Sequence, residues 1–590
     1  MWMPQLHTKR RFPSPWLSAE ALAFVLIPIM IVGLRLPGFF YSAVGLDETL
    51  YFLMAHNLLQ GHLPYTTTFD NKAPGIYLIF AAALLIFHHG MTAIRIASCI
   101  AIACGSLAIY RLIIVATNER RDMALISAYA YVLYTSHFSG LEANTEIFFM
   151  PLVACAFALI WPARCLENRA FEPARFAWAG LLLGTAICIK QSAVYDLGTA
   201  MIVTALFGSR NHRLRPLGLM FLAALLPPAL IPLPYLATGQ LQVLYRSTIA
   251  ANFRRFDLPI SLHENVMRFL SQLIFLFPLL ELQLLAPAYL WFGRRQSPLS
   301  RSLAVASVWF VVESIGALSL GVYESHWVLP LLLPLMIAGA IVLIDGAELL
   351  ITSLSLRRLT LASVLLSTAL IQLAKPLELA ATIAWHRLGI LPRAPYADRA
   401  ASVASYLRKR LLPGDYAFIV SPESATEYVL SGARVPTPYG FSYFLTNPYG
   451  IRIAGVKIDS EVRKAFLYEP RFVLLQVPKT SDQLEPAFQV LATDPAKVPM
   501  TDSTMLVKYV PWLALLKAVE LETRSNYAKP FLLDGILVFQ RKPVSRRNAL
   551  QVPDRIKQDG YKQYPLHGIK ISEICLRVAS KGQVKNDHHR

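Results

Sequence analysis

From residue 17 to residue 378 the chain is a succession of long apolar runs separated by short charged breaks, and no other feature constrains its fold as tightly. A helix needs roughly twenty apolar residues to cross the hydrocarbon core of a bilayer. Runs of that length, repeated, read as a polytopic α-helical membrane protein. Composition agrees: with 55% hydrophobic and 16% charged positions, 590 residues carry too little polar surface to solvate a soluble fold of that size. Beyond residue 379 the sequence resembles an ordinary water-soluble segment, so a boundary is expected near Lys375 to Leu379. The first run, Leu17 to Leu36, is as long as a span and has no small-residue cleavage site after it, which marks an uncleaved first helix.

Loop charge sets the topology, because cytoplasmic loops collect Lys and Arg. Lys9 to Arg11, Asn118 to Asp122, Arg164 to Arg175, Arg210 to Arg215, Arg294 to Arg301 and Arg357 to Arg358 form the basic set. Phe39 to Thr92, Ser139 to Glu146, Lys190 to Gln191, Ala237 to Glu264 and Gly321 to Trp327 form the other. The two sets alternate, inside then outside, provided that Gly75 to Phe87 does not cross. That run is about thirteen residues, too short for a span, and is expected to be a juxtamembrane or re-entrant helix. About eleven spans follow: 17–37, 93–116, 123–138, 147–162, 176–189, 192–207, 216–236, 265–292, 303–320, 328–345 and 359–378. The expected organisation is a cytoplasmic N-terminus (1–16), a membrane domain (17–378) with a long outer loop (39–92), a small α/β domain outside (379–540) and a basic tail (541–590). In the α/β domain, Ala400 to Leu412 reads as an amphipathic helix, and Tyr416 to Val420, Arg471 to Val477 and Gly535 to Gln540 read as strands.

The net charge of +19 does not make a nucleic-acid protein, since the basic residues sit in short loops and in the tail rather than in one patch interleaved with aromatics. The six cysteines form neither a disulfide framework nor a metal-ligand spacing. No His/Cys cluster and no glycine-rich phosphate loop is present.

Chemistry concentrates in the first outer loop. Asp47 and Glu48 directly follow the first span, and Lys72 opens the helix that returns to the membrane, so a carboxylate pair and an ammonium meet at one interface. Charges alone leave two readings, a functional cluster or simply solvated loop residues. Further along the loop and chain come Ala55-x-x-Leu-Leu-x-Gly-x-x-Pro-Tyr65, Lys72-x-Pro-Gly-x-Tyr-Leu78, Ala143-Asn-Thr-Glu146 and Ser325-His-Trp-x-Leu-Pro-Leu-Leu-Leu-Pro334. In that order these motifs resemble the GT-C membrane glycosyltransferases, in particular the bacterial relatives of protein O-mannosyltransferases and of the lipid A aminoarabinose transferase. The likeness runs from about Phe24 to Ala340 and is strongest in the first loop. Lys72-Ala73-Pro74 departs mildly from the Lys-Pro-Pro common in that group, and Asp70 and Asn71 before it carry no assigned role.

The resemblance implies an inverting transfer of a sugar from a polyprenyl-phosphate donor to an acceptor hydroxyl, at the outer face of a bacterial inner membrane. The partners it implies are that lipid-linked donor, membrane lipid and an acceptor whose identity stays open. Asp47 then stands as the general base, and Lys72 as the group that stabilises the departing lipid phosphate. Glu48 either orients the acceptor or Lys72, or serves as a favourable charge at a helix N-terminus. Glu146 matches an acidic position facing the same cavity. Lys190 with Gln191 either binds the donor phosphate or snorkels, and His326 either joins the site or anchors the interface. Arg254 and Arg255 are further candidates for a phosphate or headgroup. No cofactor is required, although a divalent cation bridging Asp47 and the donor phosphate is compatible with the group. A transporter would instead rely on ionisable residues at mid-depth, for which Glu313 and Glu281 are the candidates.

Overall fold

The computed structural model describes residues 15–88, 90–137, 140–161, 172–207, 214–256, 261–292, 298–319, 325–343, 353–388, 398–476, 505–533 and 535–543. The Lys9 to Arg11 cluster, much of the basic loops (162–171, 208–213, 293–297), residues 321–324 and the tail from 544 lie outside them.

The first part is helical: α1 (Pro15–Arg35), α2 (Leu46–Leu59), α3 (Gly75–Phe87), α4 (Met91–Ala116), α5 (Arg121–Tyr134), α6 (Thr145–Ile160), α7 (Pro173–Ile189), α8 (Val194–Phe207), α9 (Leu214–Leu230), α10 (Leu262–Leu273), α11 (Pro298–Ser319), α12 (Leu332–Ile341) and α13 (Leu354–Arg387). The charge pattern asks for about eleven crossings. Among the described residues, four helices are long and apolar enough to cross a membrane, or five if a pair bent by 108° between Leu276 and Leu279 counts as one. Two of the others, α7 and α8, are short because the helix breaks between them at Lys190. A fourteen-residue helix such as α5 is only about 21 Å long, against about 30 Å of hydrocarbon. Leucines and isoleucines on the outside of the bundle, such as Ile29, Leu85, Ile86, Leu222 and Leu366, are exposed, as a lipid-facing surface requires.

α3 has the bounds expected of the short apolar run, Gly75 to Phe87, and ends on His88 in the left-handed region (φ 54°). Its Ile76, Tyr77 and Phe80 are buried, while Leu78, Leu85 and Ile86 face outward. α2 lies in the loop between α1 and α3, and Leu50 to Ala55 are buried on all sides. One departure from expectation stands out. α13 does not stop near Lys375 to Leu379 but continues to Arg387; Lys375 and Glu378 pair across one turn on its surface (2.9 Å), so these charges decorate the helix rather than end it. At the same end of the bundle, the Arg35 side chain is buried, and its Nη2 donates to the carbonyls of Thr135 (2.7 Å) and Gly140 (3.2 Å), fastening α1 to the end of α5.

The C-terminal unit holds one sheet of four strands, β1 (Ala417–Val420), β2 (Phe472–Gln476), β3 (Phe531–Leu533) and β4 (Ile536–Gln540), in the order β1-β2-β4-β3. β1 and β2 run parallel; the other two pairings are antiparallel. β1 is wholly apolar, and the central strands β2 and β4 are apolar up to a terminal glutamine, because both faces are covered. Phe418, Val420, Val473 and Leu475 pack on the helix Met505–Thr523 through Leu515, Leu516 and Val519. Ala417, Ile419, Phe472 and Leu474 pack on α14 (Arg399–Arg408) and α15 (Ser424–Ser431) through Val403, Leu407, Ala425 and Tyr428.

This unit is seated on the first loop. The Phe69 amide donates to the Pro438 carbonyl (2.7 Å), and the Ser42 hydroxyl donates to Asp398 Oδ2 (3.0 Å). Leu53 of α2 comes so close to Gly440 that a Cβ there would lie 3.1 Å from its methyl group.

Candidate active site

α2 begins where it does because Glu48, in its first turn, reaches back to accept from the amides of Val44 (2.7 Å) and Gly45 (3.5 Å). Its carboxylate also accepts from the Ala143 amide (3.1 Å) and pairs with Arg95 of α4 (3.0 Å). Glu48 is fully buried, and every one of these contacts is internal, so the structure places it behind Asp47 and not beside it. One residue earlier, about 100° around the helix, Asp47 faces a cavity and retains 26% side-chain exposure.

Asp47 Oδ2 gathers Lys72 Nζ at 3.5 Å, the Tyr51 hydroxyl at 3.3 Å and His326 Nε2 at 3.8 Å. Burial works to raise the Asp47 carboxyl, but Lys72, His326 and Lys190 outweigh it and hold the group below its ordinary value. It is therefore ionised at neutral pH. Asp70, which lines the same cavity, goes the other way: burial raises it, against the opposing pull of Lys72 and of the Tyr77 hydroxyl that donates to it at 2.7 Å.

Glu146, in the first turn of α6, is fully buried and ion-paired with Lys190 Nζ, and His326 Nε2 stands 3.9 Å from it. Lys190 occupies the break between α7 and α8, where an extended backbone turns its side chain inward. Gln191 donates to the Asn71 carbonyl (3.1 Å), which also accepts from Asn252 (2.8 Å). Trp327 lies beneath two cations, Lys190 Nζ at 5.8 Å and Arg255 Cζ at 5.6 Å from its ring centre. With the Asn71 amide turned so that both its ends are satisfied, its oxygen accepts from Arg255 Nη2 (2.8 Å). Arg254 points elsewhere, toward Gly455 of the C-terminal unit.

Two cavities meet here. A chamber of about 270 Å³ is lined by Asp47, Asp70, Glu142, His326 and aromatic residues of the C-terminal unit. A groove of about 390 Å³, largely apolar, runs past Lys190, Tyr195, Ile249 and Phe253. Asn71, Lys72, Arg255 and Trp327 line both. A third, apolar cavity of about 740 Å³ continues from the groove through Gln191, Thr248 and Ile249 toward Pro228 and Leu241.

Asp47, Lys72, Glu146, Lys190, Gln191 and His326 thus converge on one place, while Glu48 does not reach it. Reading the sequence left Asp70, Arg95 and Tyr51 without a role; a tyrosine four residues after Asp47 on the same helix face was the available signal for Tyr51. Among the described residues no three His, Cys, Asp or Glu side chains gather as a metal site, and the Asp47 oxygen nearest the chamber's charges already faces the Lys72 ammonium. Of the two mid-depth carboxylates, Glu281 is exposed; Glu313 is buried in α11, on the helix whose Trp309 donates to Asp196 of α8 (3.0 Å).

The sequence model of the family described as dolichyl-phosphate-mannose-protein mannosyltransferase matches residues 71–235, from Asn71 beside the chamber to Tyr235. The fold is similar to that of ArnT from Cupriavidus metallidurans bound to undecaprenyl phosphate, with a TM-score of 0.52 at 13% identity over 82% of this chain and 95% of that one. The apo form of ArnT from the same organism gives 0.51 at 12% identity, over 89% and 98%. The archaeal oligosaccharyltransferase AglB from Archaeoglobus fulgidus gives 0.49 at 11% identity, over 90% of this chain and 75% of that one. No curated protein sequence matches the chain.

Proposed function

The chain is a multi-pass membrane protein with the GT-C fold, and from that premise we propose that it is an inverting glycosyltransferase that moves a sugar from a polyprenyl-phosphate donor to an acceptor hydroxyl. One observation carries this reading: a carboxylate, Asp47, stands in a chamber that opens into an apolar groove, with the cations Lys72 and Arg255 at the rim the two share and Lys190 just beyond it in the groove. A lipid-linked sugar has the same three parts in the same order, an isoprenoid chain, a phosphate and a sugar. ArnT has been seen with undecaprenyl phosphate bound.

In the proposed reaction the lipid lies along the groove and its apolar continuation, and the phosphate sits at the shared rim. Asp47 removes the proton from the acceptor hydroxyl as that oxygen attacks the anomeric carbon from the side opposite the phosphate. The bond from carbon to phosphate oxygen breaks, and the charge gathering on the leaving phosphate is met by Lys72 and Lys190. Glu146 holds Lys190 in place until the phosphate arrives, through their buried ion pair. A single displacement of this kind inverts the anomeric centre. With loop charge as the guide, the chamber faces outside the cytoplasmic membrane, and the helices, some broken or tilted, make about eleven crossings.

The test is transfer of radiolabel from a panel of polyprenyl-phosphate sugars to membrane extracts by the purified protein. Wild type is expected to transfer label from one donor, and Asp47→Asn and Lys72→Ala to lose at least about a hundredfold in rate. No donor consumed by wild type, or full activity in Asp47→Asn, would overturn the reading.

A further inference from the structure

The chamber has two unlike sides. The membrane half supplies Asp47, Asp70, Lys72, Glu142 and His326; the C-terminal unit supplies Phe441, Tyr443, Phe444 and Ile453. We propose that this aromatic wall is the sugar-selecting surface of the site, the face against which the ring carried by the lipid phosphate packs. The proposal rests on the lipid-linked-sugar reading and extends it to a part of the chain that lies outside the family match.

Volume sets the first limit. About 270 Å³, just under the roughly 300–1,000 Å³ of sites that take drug-sized ligands, fits one sugar ring closely. Chemistry sets the second. A sugar ring presents flat patches of C–H on its faces and hydroxyls around its rim, and its complement is an aromatic surface on one side with polar groups on the other. Here Phe441 and Tyr443 are stacked, ring centres 5.9 Å apart and planes 18° from parallel, with Phe444 edge-on to both.

The polar side shows a group held ready. His326 is 6% exposed, and its Nε2 has no hydrogen-bond partner in the protein, although it lines the chamber between Asp47 and Glu146. A buried ring nitrogen in that state is open to a polar group entering the chamber, and a sugar hydroxyl is such a group. The wall itself is held rigidly. The Ser442 hydroxyl donates to the Ser421 carbonyl (2.6 Å), the Ser442 amide donates to Ser424 Oγ (3.1 Å), and Phe444 packs edge-on to Phe69 of the first loop at 4.9 Å. A surface fixed in this way discriminates by shape and spends little entropy on binding.

The experiment measures binding of defined lipids to the full-length protein in nanodiscs. The probes are undecaprenyl phosphate and the same lipid carrying one hexose, one N-acetylhexosamine or one aminopentose. Wild type should bind one of the monosaccharide lipids roughly three- to tenfold more tightly than the bare phosphate. Tyr443→Leu should keep the affinity for undecaprenyl phosphate and lose the preference, and Tyr443→Phe should retain it; affinity for the bare lipid shows that each variant is folded. Failure of wild type to bind undecaprenyl phosphate at all would remove the lipid-linked reading itself. Normal binding of the bare lipid with no preference for any monosaccharide, or a preference that survives both Tyr443→Leu and Phe441→Leu, would overturn the wall proposal and leave that reading standing.

Discussion

Two neighbouring acids, Asp47 and Glu48, show how far one peptide step changes a residue's work. The first faces the chamber and is surrounded by cations; the second is sealed behind it, bonded to three amides and to Arg95. Their substitutions should therefore fail differently. Asp47→Asn keeps its shape and its neighbours, and should leave a folded, inactive protein. Glu48→Gln leaves the Arg95 guanidinium, 4% exposed, without its counter-charge, a loss worth about 3–5 kcal/mol for a buried pair. The measurement is the apparent melting temperature in detergent beside the transfer rate: Asp47→Asn should melt like wild type, and Glu48→Gln several degrees lower. Equal melting temperatures would show that Glu48 is not structural. From sequence alone the two acids form one pair, because adjacency says nothing of which side of a helix each occupies until the packing of α4 is known. The partners of Asp47 were legible only as candidates for the same reason: His326 lies 279 residues further along, and spacing cannot predict that meeting.

At the scale of elements, the site is assembled by close helix approach. α3 starts at Gly75, and a Cβ there would fall 2.4 Å from the Cys188 carbonyl at the end of α7. That contact brings Lys72, three residues before it, to the same place as Lys190, two residues after Cys188. α7 in turn lies against α9 through Gly180 and Gly184, where an added Cβ would meet the carbonyls of Met220 and Ala224 at 2.2 Å. Gly180-Leu-Leu-Leu-Gly184 is the small-residue spacing by which membrane helices approach one another, a signal present in the sequence and left unread there. The bounds of α3, by contrast, were legible, because the uninterrupted apolar run Gly75 to Phe87 starts just after Pro74 and stops at His88. Gly75→Val should push the start of α3 away from α7 and separate the two lysines. The expected result is weaker binding of undecaprenyl phosphate, by roughly tenfold or more, with Asp47 and its loop still in place. Wild-type affinity in Gly75→Val would mean that the two lysines do not act together.

For the whole molecule, the C-terminal unit is more than an appendage, because it carries the roof of the chamber and is tied to α2 through the surface of α15. Three of its strands, β1, β2 and β4, and its first helix were legible from their patterns; the three-residue β3 was not, and neither was the seating of the unit, since the contacts that dock it are single amides and hydroxyls such as Phe69 to Pro438. Within α15, Glu427 is wholly buried and accepts from the Ser421 hydroxyl at 2.5 Å, while its other oxygen has no partner. Burial raises its carboxyl from 4.5 to about 8, so it is protonated in the folded protein at neutral pH. The unfolded chain, whose carboxyl titrates near 4.5, has released that proton by then. Between these values the folded state binds the extra proton, and stability must fall as pH rises, at up to about 1.4 kcal/mol per pH unit, levelling off only above about pH 8. Ser421 and Ser424 of the same neighbourhood hold Ser442 in the aromatic wall, so loosening there reaches the chamber. Glu427→Gln keeps the shape and cannot ionise. The variant should match wild type at pH 5, melt at a higher temperature at pH 8, and lose less of its donor binding between the two; parallel melting curves for both proteins across that range would show that Glu427 does not link pH to the seating of this unit.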